Sequence, residues 1–209
     1  MKHDADKHYR RSIRLPEYDY GQAGAYFVTI VTKDRASLFG EVVNGKMWLN
    51  VGGRIIQAVW DELPDHYPGV ECDAFVVMPN HIHGVMVLVD GGGVELNDVG
   101  AGLKPALTEF RPTTTPRAGL KPAPTQHGLS EIIRAFKTFS ARRINDMRHI
   151  PGVSVWQRNY YEHIVRNENE LSCIREYIAN NPLQWEMDRE NPNPTEVKSI
   201  GKRESWEIA

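Results

Sequence analysis

The chain has 209 residues, 41% of them hydrophobic and 25% charged, with a net charge of −2. That is enough for one ordinary domain with its own core. The longest apolar run is broken by Pro79, Asn80 and two histidines, which excludes a membrane span. Cys72 and Cys173 stand far apart, outside any CxxC spacing, which excludes a disulfide framework and a cysteine zinc site. The opening Met1-Lys2-His3-Asp4 is charged rather than leader-like, so the expected location is the cytoplasm.

Taken in chain order, AYFVTIVTKDR (25–35) alternates and is rich in β-branched and aromatic residues, which predicts a strand over 25–32. GKMWLN (45–50) is expected to extend the same sheet. From Val51 to Tyr67, the residues Ile55, Ile56, Val59, Trp60 and Leu63 recur at helical spacing, and Pro64 and Pro68 punctuate the end. VECDAFVVM (70–78) and HIHGVMVLV (81–89) flank Pro79-Asn80 and read as an antiparallel hairpin. Residues 91–127 change character: they are rich in glycine and proline and carry AGLKPA twice, at 101–106 and 118–123. Such a segment buries too little to offset its ordering entropy and is expected to be a linker.

LSEIIRAFKTFSARRIN (129–145) is amphipathic, with Leu129, Ile132, Ile133, Phe136, Phe139 and Ile144 on one side and Arg134, Lys137 and Arg142 on another. VWQRNYYEHIVRN follows as a loop and short strand. NENELSCIREYIANNP (167–182) reads as a helix capped at Asn167 or Asn169, striped with Leu171, Ile174 and Ile178, and closed by Pro182. The order β, α, β, β, α, β, α predicts an α+β fold, a ferredoxin-like or RRM-like antiparallel sheet with helices packed on it. The chain thus divides into a basic N-terminal arm (1–24), one domain (25–185) interrupted at about 91–127, and a polar C-terminal tail (186–209).

Two constellations carry chemistry. His81 and His83 are two apart in a strand, so both rings project from one face, side by side, where two imidazoles make half of a metal site. Two structural histidines on so apolar a face would each need a separate hydrogen-bond partner, at a cost of roughly 1 to 3 kcal/mol for each unsatisfied group. On the last helix Tyr177 and Asn181 stand four apart, one turn from each other. Read alone, Tyr177 is equally a core-boundary residue, and Asn180-Asn181-Pro182 is an adequate helix terminator.

In combination, HIH after a Pro-Asn turn, WQRNYYEHIVRN, and a helix ending YIANNP resemble the HUH-motif single-tyrosine transposase family of insertion-sequence type. The resemblance is nearest to the branch associated with repetitive extragenic palindromes (REP). It covers roughly residues 10–90 and 128–185 and implies the HUH endonuclease fold. It also implies His81, His83 and Asn181 as metal ligands and Tyr177 as the nucleophile. Members of insertion-sequence type commonly carry glutamine at the third ligand position; asparagine fits the palindrome-associated branch. The implied cofactor is a divalent metal, Mg2+ or Mn2+. Imidazole ligands by themselves lean toward later transition metals, so manganese is expected to serve at least as well as magnesium. Tyr160 and Tyr161 are chemically competent alternatives to Tyr177 but lack a ligand-type residue at i+4, and His163 reads as strand surface.

The implied reaction is cleavage and strand transfer of single-stranded, hairpin-bearing (palindromic repeat) DNA through a 5′-phosphotyrosine intermediate. Expected DNA contacts are Arg10, Arg11 and Arg14 in the arm, Arg134, Lys137, Arg142 and Arg143 on the amphipathic helix, and Arg158 beside Trp156, whose ring could stack on an unpaired base. The competing readings are a domesticated hairpin-DNA-binding protein without cleavage activity and, lower in rank, an RNA-binding domain. The sequence leaves monomer and homodimer open.

Overall fold

The computed structural model describes residues 20–89 and 127–192. The arm arginines Arg10, Arg11 and Arg14, nearly all of the linker and the end of the tail lie outside the described residues. The elements are β1 (Gly24–Val31), β2 (Gly40–Val43), β3 (Lys46–Leu49), α1 (Val51–Asp61), α2 (Leu63–His66), β4 (Val70–Val77), β5 (His81–Leu88), α3 (Leu129–Arg148), β6 (Tyr161–Val165) and α4 (Glu168–Asn180). A 3-10 turn, Asn181–Met187, follows α4 directly.

The main sheet has the order β4-β5-β1-β6, with every neighbouring pair antiparallel. With α1 in the first connection and α3 in the last, this is the split β-α-β-β-α-β arrangement of the ferredoxin-like fold. β1 is central and buried on both faces, so it reads as a continuous apolar run. Its side chains nevertheless alternate: Tyr26, Val28 and Ile30 join Ile82, Met86 and Leu88 in a core under α1 and α3. Ala25 and Phe27 join Val85 and Val165 in a second core, covered by Leu171, Ile174 and Ile178 of α4. One sheet therefore supports two layers. His81 and His83, out of phase with Ile82, fall on the α4 side.

A close approach fixes β5 from the other side. Trp60 and Phe75 stack with ring centroids 4.4 Å apart, and a Cβ at Gly84 would lie 2.6 Å from two atoms of the Trp60 ring. Only glycine lets the indole lie across the strand one residue after His83.

Several expectations need correction. GKMWLN does not extend the main sheet: β3 pairs only with β2, as a separate ribbon. Asn44 and Gly45 both take positive φ, 51° and 71°, which is the backbone of a two-residue hairpin turn. The helix expected over 51–67 is broken at Glu62, because Pro64 has no N–H and its ring clashes with the carbonyl four residues back, so α2 starts afresh. Phe139 is 47% exposed rather than core; the buried stripe of α3 continues through Ser140 to Ile144. The Asn167 cap is present, its side chain accepting from Glu170 N–H at 2.9 Å.

Candidate metal and nucleophile site

The site is built where the start of β5 passes under the end of α4. His81 and His83 are 0% and 4% exposed, with Nε2 atoms 3.1 Å apart. Each ring is held from behind. Asn80 donates both hydrogens of its amide to carbonyls, Arg35 O at 3.1 Å and Glu190 O at 2.7 Å. Its Oδ1 is therefore the atom 2.9 Å from His81 Nδ1 and must accept from it. That fixes the tautomer: His81 carries its proton on Nδ1 and turns a bare Nε2 lone pair toward His83.

His83 Nδ1 lies 2.8 Å from Thr29 Oγ1, a hydroxyl able to donate or accept. His83 can thus present either an Nε2–H to His81 or a second bare lone pair, with Thr29 turning its proton to match. Burial pushes the His81 pKa down to about 4 and that of His83 well below its ordinary value, His81 adding like-charge repulsion to the latter. Both rings are consequently neutral at physiological pH, which is the ligating form.

α4 brings Tyr177 to this pair. Its Oη is 3.3 Å from His83 Nε2, and its ring meets Phe27 edge-on at 6.1 Å while Phe27 stacks on His83 at 5.5 Å. Arg175, two residues earlier, grips Asp73 of β4 through Nε at 2.8 Å and Nη2 at 2.5 Å and also reaches Glu168. This clasp and the Leu171, Ile174 and Ile178 stripe dock α4 against the sheet of its own chain.

Asn181 is 1% exposed at the junction of α4 and the 3-10 turn. Its Nδ2 lies 3.5 Å from Asp188 Oδ2, and its Oδ1 is buried without a hydrogen-bond partner. The carboxamide lies against His81, whose charged form it would favour. A buried acceptor left over beside the His81 lone pair and His83 Nε2 fits a cation.

Sequence reasoning missed Asp188. The stretch that it read as the start of a polar tail folds back over the histidines: Trp185 lies 5.9 Å from the His81 ring, and Asp188 Oδ2 lies 3.9 Å from His81 Nε2. Burial raises the Asp188 pKa, and Glu190 N–H donates to its Oδ1 at 2.6 Å. Among the described residues, His81, His83 and Asp188 form a cluster of metal-type side chains with ligand atoms within 4.8 Å of one another.

The remaining expected positions do not converge here. α3 lies on the opposite face of the sheet from α4, and Arg134, Lys137, Arg142, Arg143, Trp156 and Arg158 gather with it. Trp156 is 5% exposed, packed between Phe39 and Phe136 with its Nε1–H donated to Ser140 Oγ, so its ring belongs to the core and is not presented to a base. Arg143 is paired through both terminal nitrogens with Glu62, tying α3 to the α1–α2 break. Lys137 donates to the carbonyls of Gln157, Arg158 and Asn159 at 2.5, 3.1 and 3.3 Å and fastens that loop to α3; burial lowers its pKa to about 8. Arg134, Arg142 and Arg158 are exposed; Arg134 and Arg158 rim a cleft of about 380 Å³.

Of the competing groups, Tyr160 points its hydroxyl at Ser130 Oγ, 3.4 Å away on the α3 side, and His163 pairs with Glu170 at 2.7 Å. Tyr161 is on the α4 face but one strand farther out, across Thr29 from His83.

The fold and this site define an α+β protein with a paired-histidine centre and a tyrosine beside it. Residues 120–181, which include Tyr177 and Asn181, match the family model described as IS200-like transposase. An uncharacterised Haemophilus influenzae protein is 38% identical over 191 residues, covering 90% of this chain and 96% of that one. A second H. influenzae protein, described as a REP-associated tyrosine transposase, is 24% identical over 166 residues, 79% of this chain and 74% of its own. Among solved structures, a REP-associated tyrosine transposase bound to a REP hairpin aligns with TM-score 0.49 at 17% identity, over 82% of this chain and 73% of that one. A Deinococcus radiodurans protein described as a transposase aligns with TM-score 0.40 at 19% identity, over 80% and 95%. Over residues 120–181 the chain thus resembles the IS200-like transposases, and over 79% of its length it is similar to a protein described as a REP-associated tyrosine transposase.

Proposed function

We propose that this protein is a metal-dependent endonuclease and strand transferase for single-stranded DNA carrying hairpins, acting through a 5′-phosphotyrosine at Tyr177. The observation that carries this reading is the Tyr177 hydroxyl 3.3 Å from His83 Nε2, beside two buried histidines that meet through their Nε2 atoms. A hydroxyl held there on a docked helix supports the reading of Tyr177 as the nucleophile. The palindromic-repeat substrate is suggested by the REP-associated relative.

His81, His83 and Asn181 would hold a divalent cation, Mg2+ or Mn2+. When bound, it would neutralise charge developing on a non-bridging phosphate oxygen. The rest of the work belongs to the chain. Asn80 and Thr29 orient the imidazoles, Phe27 packs against both His83 and Tyr177, and the Arg175–Asp73 clasp keeps α4 seated. Tyr177 Oη gives up its proton and attacks phosphorus. The Oη–P bond forms as the P–O3′ bond breaks, and the departing 3′ oxygen takes up a proton. The phosphodiester energy stays in the tyrosyl ester, so attack by another 3′ hydroxyl reseals DNA without ATP.

The test is incubation with labelled single-stranded hairpin DNA from the gene's own flanks, with Mn2+ or chelator. A denaturation-resistant adduct that requires metal and disappears in Tyr177→Phe and His83→Ala is expected. Tight binding without an adduct on any flanking hairpin would overturn the enzymatic reading in favour of a binding protein.

A further inference from the structure

The segment that follows α4 is anchored too specifically for a tail. Three fastenings hold it over the histidine pair: Asn80 to Glu190 O at 2.7 Å, the Arg35–Glu190 ion pair at 2.8 Å, and Trp185 against the His81 ring. What they deliver is one carboxylate. The Asp188 side chain is 8% exposed and its Oδ2 faces His81 Nε2 at 3.9 Å, a separation that leaves room for a cation between them. Two arginines act on it through space, but both are paired with Glu190, Arg35 at 2.8 Å and the 70% exposed Arg189 at 3.4 Å. Next to Asp188, Asn181 spends its amide N–H on the carboxylate and leaves Oδ1 buried without a partner. Two nitrogen donors and two oxygen donors thus converge from β5, the end of α4 and the strap.

We propose that Asp188 is a further ligand of the divalent cation, supplied by the 181–190 strap, and that its anionic oxygen biases an otherwise imidazole-based centre toward hard cations such as Mn2+. This rests on the metal reading of His81 and His83 and deepens it. The carboxylate facing the His81 lone pair carries negative charge that a dication would neutralise directly, since Arg35 and Arg189 act on it only through space while paired with Glu190. Two histidines alone favour later transition metals over Mn2+; an added carboxylate oxygen shifts the balance the other way. Glu190 N–H, donating at 2.6 Å to Oδ1, orients the carboxylate and leaves Oδ2 turned to the centre.

The test is titration of the full chain with Mn2+ and with Zn2+, followed by calorimetry and by the Mn2+ electron paramagnetic resonance signal, in the absence of DNA. Asp188→Asn is expected to weaken Mn2+ at least tenfold, on the scale of metal-shell substitutions, and Zn2+ distinctly less. The Zn2+ to Mn2+ affinity ratio therefore rises, which a merely structural role would not produce. Arg35→Ala loosens the strap but leaves every donor in place, so it should cost Mn2+ less than Asp188→Asn does. Thermal unfolding of each variant confirms folding. Mn2+ affinity in Asp188→Asn within twofold of the parent overturns the proposal while leaving the histidine centre intact. Tighter Mn2+ binding or faster cleavage in that variant also overturns it, since the carboxylate would then occupy the place of a substrate phosphate. Failure of the parent to bind Mn2+ removes the metal reading and this proposal together.

Discussion

Asn80 is the residue on which two properties of the protein meet, and changing it separates them. It is wholly buried and its side chain makes three hydrogen bonds, donating to Arg35 O and Glu190 O and accepting from His81 Nδ1–H. Asn80→Ala removes all three and leaves their partners in place. At about 1 kcal/mol for each bond the loss is about 3 kcal/mol, or roughly 6 to 12 °C in melting temperature for a chain of this size. It also frees His81 to place its proton on either nitrogen, and loss of such an orienting partner typically weakens metal binding about 10 to 100-fold. Asn80→Asp provides the contrast: it keeps an acceptor for His81 Nδ1–H but has no hydrogens for the two carbonyls. Both variants should melt early, with Asn80→Asp retaining distinctly more Mn2+ affinity by calorimetry. Mn2+ binding in Asn80→Ala within threefold of the parent, despite the lower melting temperature, would refute the claim that this amide sets the His81 tautomer.

Other outcomes follow from the same geometry. The unfolded chain protonates His81 near pH 6.5, whereas the folded site resists until about pH 4. The unfolded state therefore holds more protons in that window, and metal-free stability falls on acidification by about 3 kcal/mol from this residue alone. Asp188, raised by burial, opposes part of that loss. Denaturant melts that stay flat from pH 7 to 4.5 would contradict this. Gly84→Ala forces the Trp60 ring off the strand and should cost about 1 to 3 kcal/mol; an unchanged melting temperature would show that the stack gives way freely. Arg175 and Asp73 are 30% and 23% exposed, so a double-mutant cycle should give a coupling of only about 1 kcal/mol, together with faster hydrogen exchange along α4. Coupling near zero with unchanged exchange would mean that the apolar stripe alone seats the helix.

Much of this centre was legible because it lies on periodic elements. Alternation in β5 put His81 and His83 on one face, and the i, i+4 spacing at the end of α4 put Asn181 beneath Tyr177. What periodicity does not encode was missed. Asp188 follows a 3-10 turn begun by Pro182, whose direction is decided by contacts from Asn80 and Arg35, far away in sequence. The β2–β3 ribbon carried an Asn44-Gly45 turn signal, but its strands are four residues each and too short for alternation to show. Trp156 beside Arg158 looked like a stacking platform. The bridge between Thr32 and Trp156 instead draws it against the end of the central strand β1 and into the core. The amphipathic pattern of α3 identifies its buried stripe without saying which face of the sheet it covers, so the sequence does not show that its arginines lie across the sheet from the histidines.

The most direct measurement is mass-spectrometric identification of the residue that carries DNA. The protein would be trapped with single-stranded flanking hairpin DNA and Mn2+, digested with protease and nuclease, and its nucleotide-linked peptide sequenced. Linkage on Tyr177 through a 5′ phosphate is the predicted result. A linkage on Tyr160 or Tyr161, or hydrolysed DNA with no linked peptide at all, would contradict the assignment of Tyr177 as the nucleophile held beside His81 and His83.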